Sequence, residues 1–459
     1  MDFRDTIGVL DKKGGVKRMY PKSVDGVLFK ARNAFGLTLV AFLFAAPFVQ
    51  INGQQALLFN ILERKFVIFG QIFFPQDFYI FALAMLTFLV FIILFTVVFG
   101  RVFCGWACPQ TVFLELIFRR IEFWIEGDAN AQRRLNEGDW TTEKIWKKTL
   151  KHTIFWIVSF SIANIFLAYL VGTAELQKLV THSPLDSPTL FVSLLIFTGA
   201  FYYVFAHFRE LVCIIVCPYG RLQSVLLDNK SIVVAYDFVR GEPRGKMNKN
   251  EPASTPPKGD CIACGLCVQV CPTGIDIRNG TQLECINCTA CIDACDEVMV
   301  KIGRPKKLIR YDSIEGITQK KPLRFTARIA AYSTVLVLLL GLLTYFLLSR
   351  KEVEMTVFRT QGLLFQQPDS LTISNLYNLE IVNKTNEKLD LVLKVKDGTV
   401  KMVSQDTRIS VIGQGTVKTS FFILIQKKDI HSYKTKLKIE AYDANGKLIT
   451  DAETSFASP

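Results

Sequence analysis

Eight of the twelve cysteines in this chain fall into two runs, each with the spacing C-x2-C-x2-C-x3-C. This is the bacterial spacing for a pair of 4Fe-4S clusters, in which the last cysteine of each run serves the other cluster. A zinc site or a disulfide framework fits less well, because zinc sites usually take their four ligands in two pairs. The spacing therefore predicts electron transfer through two clusters. The predicted ligand sets are Cys261, Cys264, Cys267 and Cys295 for one cluster, and Cys271, Cys285, Cys288 and Cys291 for the other.

The other four cysteines form two pairs, each of the form Cys-x3-Cys-Pro. An i, i+4 spacing places both members of a pair on one helix face, and the proline then ends or bends that helix. Arg101 and Arg209 shortly precede the pairs, so we expect them to lower the thiol pKa values and favour metal binding. The pairs are Cys104 with Cys108 and Cys213 with Cys217.

Three interpretations of these pairs stay open. Small cysteines can simply pack at helix ends. A dithiol relay that cycles between thiol and disulfide is a second interpretation, although an i, i+4 pair on a regular helix is poorly placed for a disulfide. A soft-metal site is the third, since thiolates select Cu(I), zinc or an iron-sulfur centre. We favour the third, and predict that the four thiols converge on one soft-metal site, whose metal these residues alone do not identify.

Hydrophobic residues make up 50% of the 459 residues, and they concentrate in five stretches without a charged side chain. Each stretch is long enough to cross a bilayer as a helix, which takes about 20 residues. The pattern predicts a polytopic α-helical membrane protein. The predicted transmembrane helices are roughly 34–51, 78–100, 153–173, 189–208 and 329–349.

Lys and Arg are distributed unevenly between these stretches. Segments 1–33, 101–152 and 209–325 carry eight, nine and seventeen, whereas segments 52–77 and 174–188 carry two and one. The positive-inside rule then places the cysteine-rich segments in the cytoplasm and the C-terminal residues on the opposite side of the membrane. Attraction to anionic membrane lipid explains the net charge of +13, and no pattern of interleaved aromatic and basic residues indicates a nucleic acid. We therefore expect a multi-pass protein of the inner (cytoplasmic) membrane.

Changes in composition divide the chain into six segments. After the fifth stretch, apolar residues alternate at the period of two that indicates strands, with Asn445-Gly446 as a hairpin turn. Such strands fit an immunoglobulin-like β-sandwich that lacks a disulfide, while the Phe-rich loop 52–77 is expected to form an interfacial helix. The predicted segments are a cytoplasmic N-terminal segment (1–33), a membrane domain with four helices (34–240), a linker (241–259), an inserted double ferredoxin domain (260–310), the fifth transmembrane helix (326–349) and a periplasmic immunoglobulin-like domain (350–459).

Several features follow one another in an order that resembles a known family. The motif CGWACPQ occupies 104–110, CIIVCPYGR occupies 213–221 and AYDFVRGEPRG occupies 235–245, followed by the double ferredoxin run, a fifth apolar span and a terminal β domain. Together they resemble the FixG/CcoG family of cytochrome c oxidase accessory proteins. The cysteine pairs also resemble those of membrane quinol dehydrogenase subunits of NapH type, but the terminal β domain favours FixG/CcoG.

The resemblance implies a role in maturing a cbb3-type cytochrome c oxidase, by reduction of Cu(II) to Cu(I). Electrons would enter the clusters from a cytoplasmic donor that the sequence does not identify, and pass to copper held at the paired cysteines. Copper carriers and oxidase assembly factors are then the expected partners. Two alternatives stay open: a quinol-linked electron-transfer subunit of NapH type, and a non-enzymatic assembly scaffold whose clusters serve only the structure.

Overall fold

A computed structural model describes most of the chain and divides it into two compact units, which we treat separately. The first unit holds the long helices and all the cysteines, and the second holds the residues from 344 onward together with part of segment 51–80. Much of the predicted N-terminal segment and of the predicted linker lies outside the described residues. The structure describes residues 18–458 except 52, 62–64, 75–76, 182, 184, 187, 247–257, 321–325, 361–364, 370, 386, 397–399, 405–407 and 431.

The described chain contains five helices that are long and apolar enough to cross a membrane, which we call α1, α2, α7, α9 and α15. Helix α9 is continued to Phe208 by a π-helical turn. The number of crossings and their direction stay predictions. In chain order the helices are α1 Val27–Ala45, α2 Phe78–Phe99, α3 Val102–Trp106, α4 Pro109–Phe113, α5 Arg119–Glu126, α6 Ala129–Glu137, α7 Thr142–Val171, α8 Thr173–Thr181, α9 Pro188–Tyr203, α10 Pro218–Leu226, α11 Phe238–Gly241, α12 Leu266–Gln269, α13 Ala290–Lys301, α14 Ile314–Gln319 and α15 Ala327–Leu348.

Helix α1 begins and ends earlier than the predicted span 34–51. Its C-terminal limit follows from Pro47, which has no N–H group to donate to a helical hydrogen bond. At its N-terminus the carboxylate of Asp293 accepts hydrogen bonds from the backbone N–H groups of Leu28 (3.3 Å) and Phe29 (2.7 Å). A carboxylate at this position satisfies free N–H groups and complements the helix dipole. The helix is thus held at its start by a residue of α13.

The Phe-rich loop 52–77 was expected to form an interfacial helix, and this prediction is wrong for the part of the loop that the structure describes. Strands form there instead, and β4 pairs with β5 in antiparallel register. Val67 and Ile72 face each other in this pair and are buried, as expected where β-branched residues alternate on one face. The strands of this region are β1 Gln50–Ile51, β2 Gln54–Gln55, β3 Leu57–Asn60, β4 Lys65–Ile68 and β5 Gln71–Phe73.

The strands that precede and follow the ferredoxin cysteines, β6 (Val233–Tyr236) and β7 (Ile309–Asp312), pair in a two-stranded antiparallel sheet. Val234 and Tyr236 belong to the same apolar core as Cys261, Cys267 and Met299. The ferredoxin core therefore includes residues from β6, which precedes the predicted domain 260–310 in the sequence. The strand pair brings the two ends of this domain together.

The second unit contains the predicted immunoglobulin-like sandwich, which the structure confirms. Two four-stranded sheets have the orders β12-β10-β14-β15 and β11-β13-β9-β8. The alternation seen in the sequence has the expected result, since Leu391, Leu393, Leu437 and Ile439 are buried between the sheets, and Gly446 turns with φ +82° between β14 and β15. The strands are β8 Val353–Arg359, β9 Thr372–Asn383, β10 Leu389–Val395, β11 Lys401–Ser404, β12 Arg408–Val411, β13 Thr416–Gln426, β14 Lys434–Tyr442 and β15 Leu448–Ala457.

Candidate metal centre

Four of the predicted ligands surround one cavity in the ferredoxin core, which we call the first cavity. The loop before α12 supplies two cysteines, α12 supplies a third and α13 supplies the fourth. Ala263 and Gly265 both have positive φ angles, of 53° and 71°, which turn the loop sharply enough to aim neighbouring thiols at one point. The cysteines that line the first cavity are Cys261, Cys264, Cys267 and Cys295.

The other four predicted ligands surround a second cavity, and its loop repeats the geometry of the first. Asn287 and Thr289 have positive φ angles of 53° and 68°, at positions equivalent to those of Ala263 and Gly265. Cys267 also lines this cavity, so the two cavities share a wall. The ligand-set cysteines of the second cavity are Cys271, Cys285, Cys288 and Cys291.

Both cavities fit a thiolate-ligated cluster. The remaining walls are mainly aliphatic, and burial raises the pKa of Cys267 and Cys288 to about 11 and of Cys285 and Cys295 to about 12. Neighbouring thiols raise these pKa values further, because like charges would lie close together. A bound metal removes this penalty by deprotonating its ligands. Eight thiols in two groups of four are the donor set of two 4Fe-4S clusters.

The two Cys-x3-Cys-Pro pairs, Cys104 with Cys108 and Cys213 with Cys217, are called the membrane-border pairs below. The prediction that each pair lies on one helix face is wrong. Cys104 lies in α3, but Cys108 has an extended conformation (φ −63°, ψ 125°) and is the N-cap of α4. Likewise Cys213 lies in a π-helical turn, and Cys217 (φ −72°, ψ 110°) is the N-cap of α10. The cause is the proline that follows each pair, since it disfavours helical geometry in the residue before it. Both pairs therefore bend in the same way.

The prediction that arginines lower the thiol pKa values is also wrong. Burial raises the pKa of Cys104 to about 11, although Arg101 acts in the opposite direction. Burial and the other three thiols raise the pKa of Cys213 to about 12. Arg209 is instead engaged by carboxylates, with Nη1 2.7 Å from Glu122 Oε1. The loss of solvent thus outweighs the nearby positive charge.

The four thiols influence one another electrostatically, which places them in one region. Within the described residues, however, His, Cys, Asp and Glu form no group of three or more that could hold a single metal ion. For the cavity cysteines this agrees with ligands spaced around a cluster, but for the four paired cysteines it means that no single-ion site is formed. A copper site at Cys104, Cys108, Cys213 and Cys217 stays a prediction.

Cys104 lies directly against the second cavity. It packs in one apolar cluster with Ile286 and Cys288. Gly105 makes this approach possible, because a Cβ atom there would lie only 2.4 Å from the carbonyl oxygen of Ile286. A hydrogen-bond chain holds the same surfaces together, from Trp106 Nε1 to the Tyr311 hydroxyl (3.1 Å) and from that hydroxyl to the carbonyl oxygen of Asn287 (3.0 Å).

The sequence did not predict several residues at the contact between Cys104 and the second cavity. Gln223, which is fully buried, accepts hydrogen bonds through Oε1 from Cys104 Sγ (3.1 Å) and from Arg101 Nε (3.2 Å). Arg32 donates from Nε to the carbonyl oxygen of Gly105 (2.7 Å). Of these residues, only Arg32 has a feature in the sequence that could have drawn attention to it, since it is a charged residue just before an apolar stretch. Gln223 carries no pattern that separates it from a surface residue of α10.

Three family models match the chain, and together they cover both cysteine groups and the β-sandwich. A 4Fe-4S dicluster domain matches residues 208–314, a 4Fe-4S binding domain matches residues 81–127, and the IG-like fold at the C-terminus of FixG matches residues 343–459. The iron-sulfur prediction is therefore confirmed at the level of cofactor type.

Three curated relatives are similar over most of the chain. Protein RdxA of Cereibacter sphaeroides is 39% identical over 345 residues, which are 73% of this chain and 71% of that protein. Protein RdxB of the same organism is 36% identical over 397 residues, 82% of this chain and 81% of that protein. Nitrogen fixation protein FixG of Rhizobium meliloti is 36% identical over 323 residues, 69% of this chain and 61% of that protein. The chain belongs to the FixG family of membrane iron-sulfur proteins.

Proposed function

We propose that this protein transfers electrons from two 4Fe-4S clusters to Cu(II) at the membrane-border cysteine pairs, and so supplies Cu(I) for assembly of a cbb3-type cytochrome c oxidase. Membership of the FixG family supports membrane electron transfer. The observation that carries the proposal is the packing of Cys104 against Ile286 and Cys288. It places a thiol of the pairs beside the ligand loop of the second cavity.

The proposed ligand sets are the two groups of four cysteines predicted from the sequence, and each group lines one cavity. Clusters bound there would each take up and release one electron. The proposed path runs from the first cavity to the second and on to the paired cysteines. The observations that support it are that Cys267 lines both cavities and that Cys104 packs beside the second. The first cavity contains the exposed residue Cys264. A cytoplasmic donor is therefore expected to approach the first cavity, while the second faces the membrane-border pairs.

Copper is the substrate in this proposal. Each Cu(II) gains one electron and becomes Cu(I), while the thiol protons are released when the ion binds. Four cysteine sulfurs favour the product, since Cu(I) is the softer ion and soft thiolates select it. Gln223 orients the Cys104 thiol through the 3.1 Å hydrogen bond. Burial of Cys104 excludes water from that side of the site.

The distribution of Lys and Arg supports a location in the bacterial inner membrane, with both cavities on the cytoplasmic side and the β-sandwich in the periplasm. On that orientation, Cu(I) would be released at the membrane face to thiolate-rich carriers. Copper carriers and oxidase assembly factors are the proposed partners, and anionic lipid is expected to contact the basic cytoplasmic segments.

The proposal is tested with anaerobically purified full-length protein whose clusters have been reduced. After Cu(II) is added, the EPR signal of the reduced clusters should disappear while a Cu(I)-specific chromophore develops in equal amount. Cys104→Ser should retain the cluster signals before copper is added and should slow their loss. If the reduced signals persist in the presence of Cu(II) and no Cu(I) forms, the protein is not a cupric reductase. Cluster reduction that leaves copper untouched would instead agree with the scaffold or the quinol-linked role.

One observation favours the quinol-linked role as the second candidate. An open cleft on the first unit is lined by His152, Trp156 and Tyr202. The Tyr202 hydroxyl lies 2.8 Å from His152 Nδ1, and Trp156 packs edge-on against the Tyr202 ring at 5.5 Å. An aromatic headgroup with two oxygens fits such a polar and aromatic pair. Reduction of the clusters by a soluble quinol, lost in Trp156→Ala, would support this candidate over copper reduction.

A further inference from the structure

Two arginines near the second cavity are buried without a carboxylate partner among the described residues. Arg32 is 5% exposed and Arg101 is 4% exposed. Among the residues that the structure describes, neither makes an ion pair with a carboxylate. Other buried arginines of the first unit do so: Arg119 pairs with Glu115 and Glu210, and Arg209 pairs with Glu122. A buried charge without a counter-charge is strongly destabilising, so the two guanidinium groups require an anionic neighbour.

The contacts of Arg32 and Arg101 point to the second cavity as that neighbour. Arg32 Nε donates to the carbonyl oxygen of Gly105, which packs on the loop of Ile286 and Asn287. Arg101 donates to the carbonyl oxygen of Leu283, two residues before Cys285. The charge of Arg101 acts on Cys285 and that of Arg32 on Cys288, while Glu115, which also acts on Cys288, is paired with Arg119 (3.0 Å). The second cavity therefore has two buried arginines beside it that no carboxylate of the described residues pairs with.

The first cavity has a different electrostatic environment. Its nearby arginine, Arg278, is held by Asp276 through two hydrogen bonds of 2.8 and 2.6 Å. At Cys267 the charges of Arg278 and Asp276 act in opposite directions, and Asp296 adds a negative charge that acts on Cys295. The arginine beside the first cavity therefore has a counter-charge of its own.

We propose that Arg32 and Arg101 give a cluster in the second cavity a higher reduction potential than one in the first cavity, and thereby direct electrons toward Cys104. Reduction adds one negative charge to a cluster, and unpaired positive charge nearby stabilises the reduced form. Part of this inference, the destination of the electron, rests on the proposed function. The difference between the two potentials does not, because it can be measured without copper.

The test is a redox titration of full-length protein followed by EPR, with no copper present. Cys264→Ser and Cys288→Ser assign the two signals, since each removes a ligand from one cavity. The wild-type protein should show the higher potential for the second cavity. Arg32→Gln and Arg101→Gln should each lower the potential of the second cavity and leave that of the first unchanged. The expected shift is about 59 mV, which is about a tenfold change in the one-electron equilibrium between the two clusters.

Controls separate a charge effect from a structural one. Arg32→Lys and Arg101→Lys keep the charge and should retain most of the wild-type difference. Lys301→Gln removes one charge from an exposed side chain, and both potentials should stay as they are. Equal or reversed potentials in the wild-type protein would overturn the inference without any variant, even if a Gln variant fails to assemble its clusters. It is also overturned if Arg101→Gln keeps both clusters and leaves both potentials unchanged.

Discussion

Replacement of Gly105 by alanine should separate Cys104 from the second cavity while leaving both cavities intact. The added Cβ atom would lie 2.4 Å from the carbonyl oxygen of Ile286 and 3.0 Å from the backbone of Asn287. These are backbone atoms, so no flexible side chain can move aside. To reach an ordinary contact distance of 3.4 Å, α3 must move away from the loop by about 1 Å. Overpacking of this kind costs about 1–3 kcal/mol.

The rate of electron transfer falls with the distance between donor and acceptor, and a displacement of about 1 Å slows it several-fold. We therefore expect reoxidation of the reduced clusters by Cu(II) to slow several-fold in the Gly105→Ala protein. Rapid mixing under anaerobic conditions, with the cluster absorbance followed in time, measures this rate. Iron content and the EPR signals after chemical reduction should equal those of the wild type.

Gly199→Ala is the matched control, because a Cβ atom at Gly199 in α9 meets nothing within 4 Å. That variant should react with Cu(II) at the wild-type rate. The reasoning is refuted if Gly105→Ala retains both clusters and is reoxidised as fast as the control. Such a result would mean that electrons reach copper by a route that does not involve the contact between Cys104 and the second cavity.

Three other outcomes follow from single contacts. Asp77→Asn should destabilise the second unit by about 3–5 kcal/mol, measured by proteolysis in urea, because Asp77 is buried between Arg350 (2.6 Å) and Lys384 (2.7 Å). Burial opposes ionisation, yet these two cations hold the pKa of Asp77 below its ordinary value. The stabilisation is therefore complete above pH ~4 and should disappear as the pH falls below it, and the Asn variant should lose this pH dependence. Cys217→Ser should abolish binding of copper but preserve both cluster signals, and an unchanged copper stoichiometry would contradict the proposed site. Asp293→Ala should cost about 1 kcal/mol through the start of α1, with Asp25→Ala, at an exposed side chain, as the control in thermal unfolding.

The parts of the structure that the sequence predicted well depend on short spacings. Ligands two residues apart must share one loop, so the cysteine runs lead directly to the two cavities. Alternating residues such as Leu437 and Ile439 must share one face of a strand, so the sandwich could also be predicted. In both cases the information lies within a few residues of the feature.

The parts that could not be predicted depend on distant residues or on a local conflict. Arg32 and Gly105 are 73 positions apart, and no pattern in either segment indicates their contact. The prediction for the cysteine pairs was wrong because of a local conflict. The i, i+4 spacing of Cys104 and Cys108 favours a helix, whereas Pro109 disfavours helical geometry at Cys108. The arginine prediction failed because the degree of burial, which decides the thiol pKa, is a property of the folded chain.

The pairing of β6 with β7 has a consequence for the order of events during synthesis. The residues that line the second cavity, from Val234 to Cys291, all precede β7, whereas Leu308 and Ile309 line the first cavity. The first cavity therefore lacks part of its wall until the chain has been made as far as β7. The ribosome completes β7 before it makes α15. All residues that line the two cavities are therefore made before α15 and the β-sandwich. The order of synthesis thus allows clusters to be inserted before the C-terminal domain exists.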